Sequence, residues 1–224
     1  MKICYEDSEI IVVEKPAGVA VESARVTEKD LYSSLRSYLA EKSGGSRDHR
    51  PGAESDEIHI VHRLDQVVAG LLVFAKTKEA AAALSKQLTD GTMKKMYRAR
   101  VCGTIPAKNG ELTDYLVKDG RNNMSHAASP GTKGAKKAVL RYRQTAEDEL
   151  AIDLVTGRHH QIRVQLAHAG MPIAGDVKYG APEKTGGEDN PGRGRIALTA
   201  SRLSFRHPST GRIMTFTLPG EDKF

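Results

Sequence analysis

Residues 61–77 read VHRLDQVVAGLLVFAKT, a stretch that predicts a buried strand with a reactive carboxylate beside it. Its first half holds His62, Arg63 and Asp65, and a continuous apolar run follows Gly70. A short apolar run bounded by a glycine is typical of a buried strand. Charged side chains next to such a strand must be paired or hydrogen-bonded, because unpaired buried charges are costly. We therefore expect a carboxylate that is held by a rigid element.

The composition of the chain excludes several protein classes. Its 224 residues are 39% hydrophobic and 28% charged, which is ordinary for a globular protein with a buried core. The apolar runs are too short to span a bilayer, and the acidic residues near the N-terminus are unlike a signal peptide. Cys4 and Cys102 are the only cysteines, so no disulfide framework is expected. These features favour a cytoplasmic protein.

The charge of the chain is basic, with a net charge of +6 and an isoelectric point near 9.3. A basic balance favours a polyanionic partner, since phosphate contacts supply most of the non-specific affinity for nucleic acid. The alternative is that the charge only keeps the protein soluble. Charge alone leaves both interpretations open.

The organisation of the chain predicts the α+β class, because many short strands are interrupted by a few helices without strict alternation. The predicted helices begin near Thr27, after a Thr77 cap, and near His159. Polar, Gly-rich loops that we expect to be mobile lie near residues 42–57, 120–136 and 181–195. The predicted strands cover residues 2–5, 9–14, 71–76, 96–101, 137–145, 150–154, 196–200, 202–206 and 213–218. No long linker separates two parts, so we expect a single domain over residues 1–224.

Asp65 is the leading candidate for chemistry. A carboxylate can serve as a nucleophile, a general base or a metal ligand. The metal role has little local support, since the nearest histidine is His62 and no HxH, HExxH or DxD spacing occurs. The structural alternative is an ion pair between Asp65 and Arg63, or a carboxylate that caps a turn.

The second candidate is the segment TGRHHQIR, residues 156–163, at a strand-to-helix junction. If the helix begins near His159, Arg163 lies one turn later on the same face, with Ile162 on the buried side. Arg163 could then pair with a catalytic carboxylate or a phosphate. The alternative is an amphipathic helix with a solvated basic side. Two adjacent histidines without further ligands are weak support for a metal.

The third candidate is the segment KKMYRAR, residues 94–100, which overlaps the strand predicted over residues 96–101. In a strand, Lys95 and Tyr97 lie on one face, while Met96 and Arg98 lie on the other. Tyr97 could stack on a nucleobase while the neighbouring cations hold phosphates. The alternative is a tyrosine at the edge of the core.

These motifs, taken in order, resemble the RluA-type pseudouridine synthase family over nearly the whole chain. The resemblance is carried by five segments: EIIVVEKPAGVAV at 9–21, HRLD at 62–65 followed by Gly70-Leu71-Leu72, Lys95-Met96-Tyr97, TGRHHQIRVQLAHAGMPIAGD with the Tyr-Gly that follows it, and LSFRHPSTG at 203–211. Each segment alone is moderately specific, but five in the family order are a strong signal.

The resemblance implies an α+β fold built on a long, bent, mostly antiparallel sheet with a central catalytic cleft. It also implies isomerisation of uridine to pseudouridine within RNA, either ribosomal or transfer RNA, with no cofactor and no metal. Because the chain starts at the catalytic motifs, we expect a stand-alone catalytic domain without the S4-like domain of many relatives. We expect a monomer with no membrane partner.

The resemblance also implies roles for individual residues. Asp65 would be the catalytic carboxylate, and Arg163 would pair with it and keep it ionised. Tyr97 would stack on the flipped uracil, Arg63 would help to fill the space that the base leaves, and Ile162 would shape the pocket wall. Further contacts to RNA are expected from four residues, namely Arg158, His160, Lys95 and His62.

Two other functions are compatible with these motifs. The chain could be a non-catalytic RNA-binding or ribosome-assembly protein that retains the fold, in which case RNA from cells lacking it would miss no pseudouridine. It could also be a nucleoside or glycoside hydrolase that uses Asp65, in which case free uracil would be released.

Overall fold

The computed structural model describes residues 1–23, 29–42, 57–182 and 195–219. The chain forms two compact units. The first unit comprises Met1–Met93 and Leu203–Leu218, and the second comprises Lys94–Arg202 and Pro219–Phe224, within the described residues.

The first unit is built on antiparallel strands whose apolar runs are buried. Its strands are β1 (Lys2–Glu6), β2 (Ile10–Lys15), β3 (His59–Ile60), β4 (Ala69–Ala75) and β11 (Ile213–Thr217). β1 and β2 form the predicted hairpin, and β2 and β3 both pair with β4. Val12 lies opposite Val73, and both are completely buried. The prediction of a buried strand after Gly70 is therefore confirmed.

Two helices belong to the first unit, α1 (Leu31–Lys42) and α2 (Lys78–Thr89). Thr77 caps α2 as predicted, since its hydroxyl accepts a hydrogen bond from the Ala80 N–H at 3.1 Å. The prediction for α1 was wrong in its start. Asp30 is the residue before the helix, and its carboxylate accepts hydrogen bonds from the N–H groups of Ser33 and Ser23, both at 2.7 Å. Thr27 lies outside the described residues.

The second unit is built on a five-stranded antiparallel arrangement in the order β5-β9-β8-β6-β7. These strands are β5 (Lys94–Arg100), β6 (Asn109–Asp119), β7 (Met124–Ala128), β8 (Lys136–Ala146) and β9 (Glu149–Leu154). The paired strands predicted over 137–145 and 150–154 are confirmed. A buried cluster of Leu116, Ala138 and Val164 joins β6, β8 and the helix α3 (Gln161–His168).

The loop predicted over residues 120–136 was wrong in part, because Met124–Ala128 forms β7 against β6. β6 itself was not predicted, because its sequence is polar and contains Gly110. The Tyr142 ring of β8 lies over this glycine, and a Cβ there would meet ring atoms at 2.5 Å. The aromatic ring therefore covers the glycine and supplies the packing that the strand's own sequence lacks. Most of the predicted loops at 42–57 and 181–195 lies outside the described residues.

The strands predicted at 196–200 and 202–206 are one strand, β10 (Leu198–Arg206). Residues 198–202 belong to the second unit and 203–206 to the first. A short 3₁₀ turn, Val177–Tyr179, follows α3. Three α-helices and eleven strands within the described residues confirm the predicted α+β class. None of the described helices is long and apolar enough to cross a bilayer.

Glu6 connects α1 to the strands of the first unit. Its carboxylate accepts hydrogen bonds from the Tyr38 hydroxyl at 2.9 Å and from the ammonium groups of Lys42 and Lys76 at 2.8 and 3.0 Å. Burial alone would raise the pKa of Glu6, but these three donors outweigh it and lower the pKa from 4.5 to about 2. The ionised carboxylate therefore stabilises the folded state.

We predict that Glu6→Gln weakens the acid dependence of stability. Because the pKa of Glu6 is lower in the folded state, its contribution is complete above about pH 4.5 and is lost as the pH falls towards 2. The wild-type free energy of unfolding should fall more steeply over this range than that of Glu6→Gln, as measured by urea denaturation.

Glu14→Gln provides the control, because Glu14 lies on the neighbouring strand with its carboxylate 3.8 Å from Lys2 Nζ. This variant should keep the wild-type pH dependence. A Glu6→Gln profile that is parallel to the wild-type profile would contradict the prediction.

Candidate functional site

The predicted site residues are divided between the two units. His62, Arg63 and Asp65 belong to the first unit. The second unit contains six of them, namely Lys95, Tyr97, Arg158, His160, Ile162 and Arg163. The pairing of Asp65 with Arg163 stays a prediction.

The loop that carries Asp65 is docked on the turn that follows β2. Lys15, the last residue of β2, has no exposed surface. Its ammonium donates hydrogen bonds to the carbonyl oxygens of Pro16, Val19 and Gln66 at 3.0, 2.7 and 3.0 Å. Gln66 is the residue after Asp65, so the ammonium fixes the backbone beside the candidate carboxylate.

Further hydrogen bonds hold the same loop. Gly18 donates its N–H to the Gln66 carbonyl at 2.8 Å, and the Gln66 side-chain amide donates to the Gly18 carbonyl at 3.1 Å. Val68 donates its N–H to the Asp65 carbonyl at 3.0 Å. Burial lowers the pKa of Lys15 to about 8, and the nearby charge of Asp65 opposes this shift. Asp65 therefore lies in a loop with fixed backbone and a cation close by.

The neighbours of Asp65 in the sequence have other contacts. Arg63 is exposed and pairs with Glu22 at 2.6 Å, so its ion-pair partner in the first unit is a residue that the sequence did not indicate. The His62 ring is buried, and its Nε2 accepts a hydrogen bond from the Val73 N–H at 3.3 Å. This bond ties the start of the loop to β4.

Tyr97 and Lys95 share one face of β5, as predicted. Tyr97 is only 6% exposed, and Lys95 is half-buried. Burial lowers the pKa of Lys95. Gly157 leaves room for this side chain, because a Cβ there would lie 3.3 Å from Lys95 Nζ. The glycine of the TGR segment therefore allows a partly desolvated ammonium to lie against the loop before α3.

The helix α3 does not have the solvated basic side that we considered. Residues 161–166 are all buried, including Ile162, and Arg163 is only 5% exposed. Two nitrogens of Arg163, Nε and Nη2, donate to the two carboxylate oxygens of Asp176 at 2.7 and 2.8 Å. Asp176 is 1% exposed, so this is a buried bidentate ion pair.

The predicted start of α3 was also wrong. The helix begins at Gln161, so His159 does not share a helical face with Arg163. His160 precedes the helix with left-handed backbone, φ 53° and ψ 25°. This conformation is costly for a residue with a Cβ and turns the chain sharply into the helix. Its ring is buried, and its Nδ1 lies 2.8 Å from the Tyr179 hydroxyl.

Two glutamines fix α3 against β8 and β6. The Gln161 amide oxygen accepts hydrogen bonds from the Thr156 hydroxyl at 2.8 Å and the Arg158 N–H at 2.9 Å. The Gln161 amide nitrogen donates to Gln165 at 2.9 Å, and Gln165 donates in turn to Asp114 at 2.8 Å. Because Gln161 and Gln165 are buried and hydrogen-bonded, they set the position of the helix that carries Arg163.

Arg158 lies on the surface before α3. Its side chain is exposed, and its Nε donates to the Lys137 carbonyl on β8 at 3.0 Å. The roles of Arg158 and His62 in binding RNA stay predictions.

Three site residues were missed by the analysis of the sequence: Lys15, Asp176 and Tyr179. All three lie inside segments that carried the family resemblance, namely the Lys-Pro-Ala-Gly turn and the Gly-Asp-x-x-Tyr-Gly ending. These segments could therefore have indicated the three residues, although the spacing of the residues alone assigns them no role. Among the described residues, no group of three or more His, Cys, Asp or Glu side chains is arranged to hold a metal ion.

Comparisons with known proteins agree with this arrangement of motifs. A model of the RNA pseudouridylate synthase family matches residues 9–168. A "ribosomal large subunit pseudouridine synthase D" of Neisseria meningitidis is 36% identical over 99% of this chain, which spans 59% of that relative. The "dual-specificity RNA pseudouridine synthase RluA" of Vibrio cholerae is 31% identical over 97% of this chain and 82% of its own length.

Solved structures show the same fold. The human "RNA pseudouridylate synthase domain containing 4" superposes with a TM-score of 0.74 and 21% identity, covering 97% of this chain and 87% of that one. The human "RNA pseudouridylate synthase domain containing 1" gives a TM-score of 0.70 at 23% identity, with 97% and 82% covered. At these identities, the likeness supports the fold alone.

We predict that Asp176→Asn destabilises the protein by about 3 to 5 kcal/mol, because it removes the carboxylate charge that the buried Arg163 guanidinium binds through two hydrogen bonds. The free energy of unfolding, measured by urea denaturation, tests this value.

Glu111→Gln is the matched control in the same unit. Glu111 accepts from Arg141 Nε at 2.9 Å, but these side chains are 48% and 62% exposed, so the loss should be below about 1 kcal/mol. Equal losses of unfolding free energy in the two variants would show that burial does not increase the contribution of the Arg163–Asp176 pair to stability.

Proposed function

Because this chain belongs to the RNA pseudouridylate synthase family, in its RluA-type branch, we propose that it isomerises uridine to pseudouridine within RNA. The observation that carries the proposal is the match of the family motifs over nearly the whole chain, with Asp65 in a loop of fixed backbone. A rigidly held carboxylate is what a nucleophile or base requires.

The reaction is an isomerisation, so the product contains the same atoms as the substrate. The N1–C1′ glycosidic bond breaks, the uracil ring turns, and a C5–C1′ bond forms, while the proton on C5 leaves and N1 gains one. A carboxylate can attack the sugar or the ring, or remove a proton, as carboxylates do in glycoside chemistry. We assign this role to Asp65.

The other site residues prepare the base for this step. A uridine inside a helix cannot reach a carboxylate, so it must leave the stack. We propose that Tyr97 stacks on the flipped uracil, that Arg63 helps to fill the vacated space, and that Ile162 shapes the pocket wall. Arg163 would pair with Asp65. The RNA strand would be contacted by Lys95, Arg158, His160 and His62.

The names of the relatives suggest which RNA is the substrate. The Neisseria relative is named for the large ribosomal subunit and the Vibrio relative for dual specificity. We therefore propose a structured RNA, with large-subunit ribosomal RNA as the first to test and transfer RNA as the second. The net charge of +6 is consistent with a polyanionic substrate. We further propose that the protein acts as a cytosolic monomer without a cofactor or metal.

We predict that Asp65→Asn abolishes pseudouridine formation and leaves RNA affinity within about threefold of the wild type, because the amide keeps the shape but loses the charge. The measurement is pseudouridine mapping of RNA from cells that lack the gene and carry either the wild-type or the variant copy.

Asp90→Asn is the control, because Asp90 is an exposed aspartate of the same unit at the end of α2. It should restore every pseudouridine that the wild type restores. An active Asp65→Asn protein would remove the proposed mechanism. Unchanged pseudouridine in cells without the gene would instead favour a binding protein, and release of free uracil would favour a hydrolase.

A further inference from the structure

The guanidinium of Arg163 is held on two sides within the second unit. Asp176 binds one edge through Nε and Nη2, at 2.7 and 2.8 Å. Tyr179 covers a face, with its ring centroid 4.9 Å from Arg163 Cζ, which is cation–π geometry. Asp176 fixes the plane of the guanidinium, and the tyrosine ring limits how far that plane can tilt.

The tyrosine ring is itself fixed through its hydroxyl. The hydroxyl oxygen accepts a hydrogen bond from the Ser125 N–H of β7 at 2.9 Å and lies 2.8 Å from His160 Nδ1. Burial, then the charge of Arg163, lowers the pKa of His160 to about 3, so its ring is neutral near pH 7. A neutral ring can accept at Nδ1 the one hydrogen that the tyrosine hydroxyl donates.

His160 is held in turn by its surroundings. Its ring stacks on His159 with centroids 3.8 Å apart. His159 Nδ1 lies 2.8 Å from the Ser125 hydroxyl, and its Nε2 lies 3.1 Å from Asn123 Oδ1. Left-handed backbone at a histidine persists only where neighbouring contacts enforce it. These contacts therefore aim the His160 ring at Tyr179.

We propose that Tyr179 is a positioning residue for Arg163, held in place by His160 and Ser125, so that the guanidinium is oriented before RNA binds. This inference rests on the proposed function, because it gives the orientation of Arg163 a catalytic purpose. It goes beyond that function by assigning the preparation of the arginine to the 3₁₀ turn after α3.

A purely structural tyrosine would behave differently. Tyr179 also packs against the buried cluster of Leu116, Ala138 and Val164. If packing were its whole role, any apolar side chain of similar volume would serve, and losses in stability would not change turnover. A positioning role instead predicts that kcat falls in variants that lose the aromatic ring and is retained in variants that keep it, while KM for RNA stays constant.

The experiment compares Tyr179→Leu with Tyr179→Phe. Leucine removes the ring face, so kcat should fall about tenfold with KM unchanged within about twofold. Phenylalanine keeps the face and should retain kcat within about threefold of the wild type, although its melting temperature should fall because Ser125 and His160 lose their partner. Val177→Ala, in the same turn at a 53% exposed position, should match the wild type.

A spectroscopic measurement on the RNA-free protein tests the orientation directly. The NMR order parameter of the Arg163 Nε–H bond measures how firmly the guanidinium is held, so it should fall in Tyr179→Leu and stay near its wild-type value in Tyr179→Phe. If Tyr179→Leu does not fold, His160→Asn replaces it, since asparagine tolerates left-handed backbone but does not reach the hydroxyl. That variant should lower the same order parameter.

The outcomes separate this inference from the proposed function. A Tyr179→Leu protein with wild-type kcat and an unchanged Arg163 order parameter overturns the positioning role. If the wild-type protein forms no pseudouridine, or Asp65→Asn forms it, the proposed function is overturned, and the order parameter alone then decides whether Tyr179 orients Arg163.

Discussion

The charge of Arg163 is the constraint on which the second unit depends. A guanidinium with 5% exposure has lost most of its hydration, so the protein must provide an anion and acceptors at fixed positions. Asp176 provides the anion, and its place is set by the 3₁₀ turn after α3. The rotation of α3 about its own axis must also be fixed. Gln161 and Gln165 fix it by hydrogen-bonding to each other and to the sheet.

The first unit also contains a buried cation. There the buried ion is the Lys15 ammonium, and its acceptors are three backbone carbonyls instead of a carboxylate partner. Because carbonyl groups carry no net charge, the ammonium still favours a nearby anion, and Asp65 lies one residue from the carbonyl of Gln66. Each unit thus holds one of the two groups on which the proposed chemistry depends, with a rigid backbone around it.

The sequence predicted those parts of the fold that local patterns determine. The apolar run at 71–75, the alternation in β8 and the Thr77 cap each follow from neighbouring residues. Other features depend on distant partners. β6 contains Gly110, whose packing comes from Tyr142 on another strand. The start of α3 depends on the left-handed backbone of His160, which its contacts with Tyr179 and His159 enforce. The roles of Asp65 and Tyr97 were predicted from motifs and stay predictions, whereas the contacts of Arg163 with Asp176 and Tyr179 required coordinates.

The complete burial of Lys15 also affects how the protein reacts with chemical reagents. An amine with no solvent contact and three carbonyl acceptors is shielded from acylating or reductively methylating agents, while exposed lysines such as Lys94 are open to modification. Modification at Lys15 would require the turn after β2 to separate from the Asp65 loop. The rate of its labelling, read by mass spectrometry, would therefore report how often that loop detaches in the native protein.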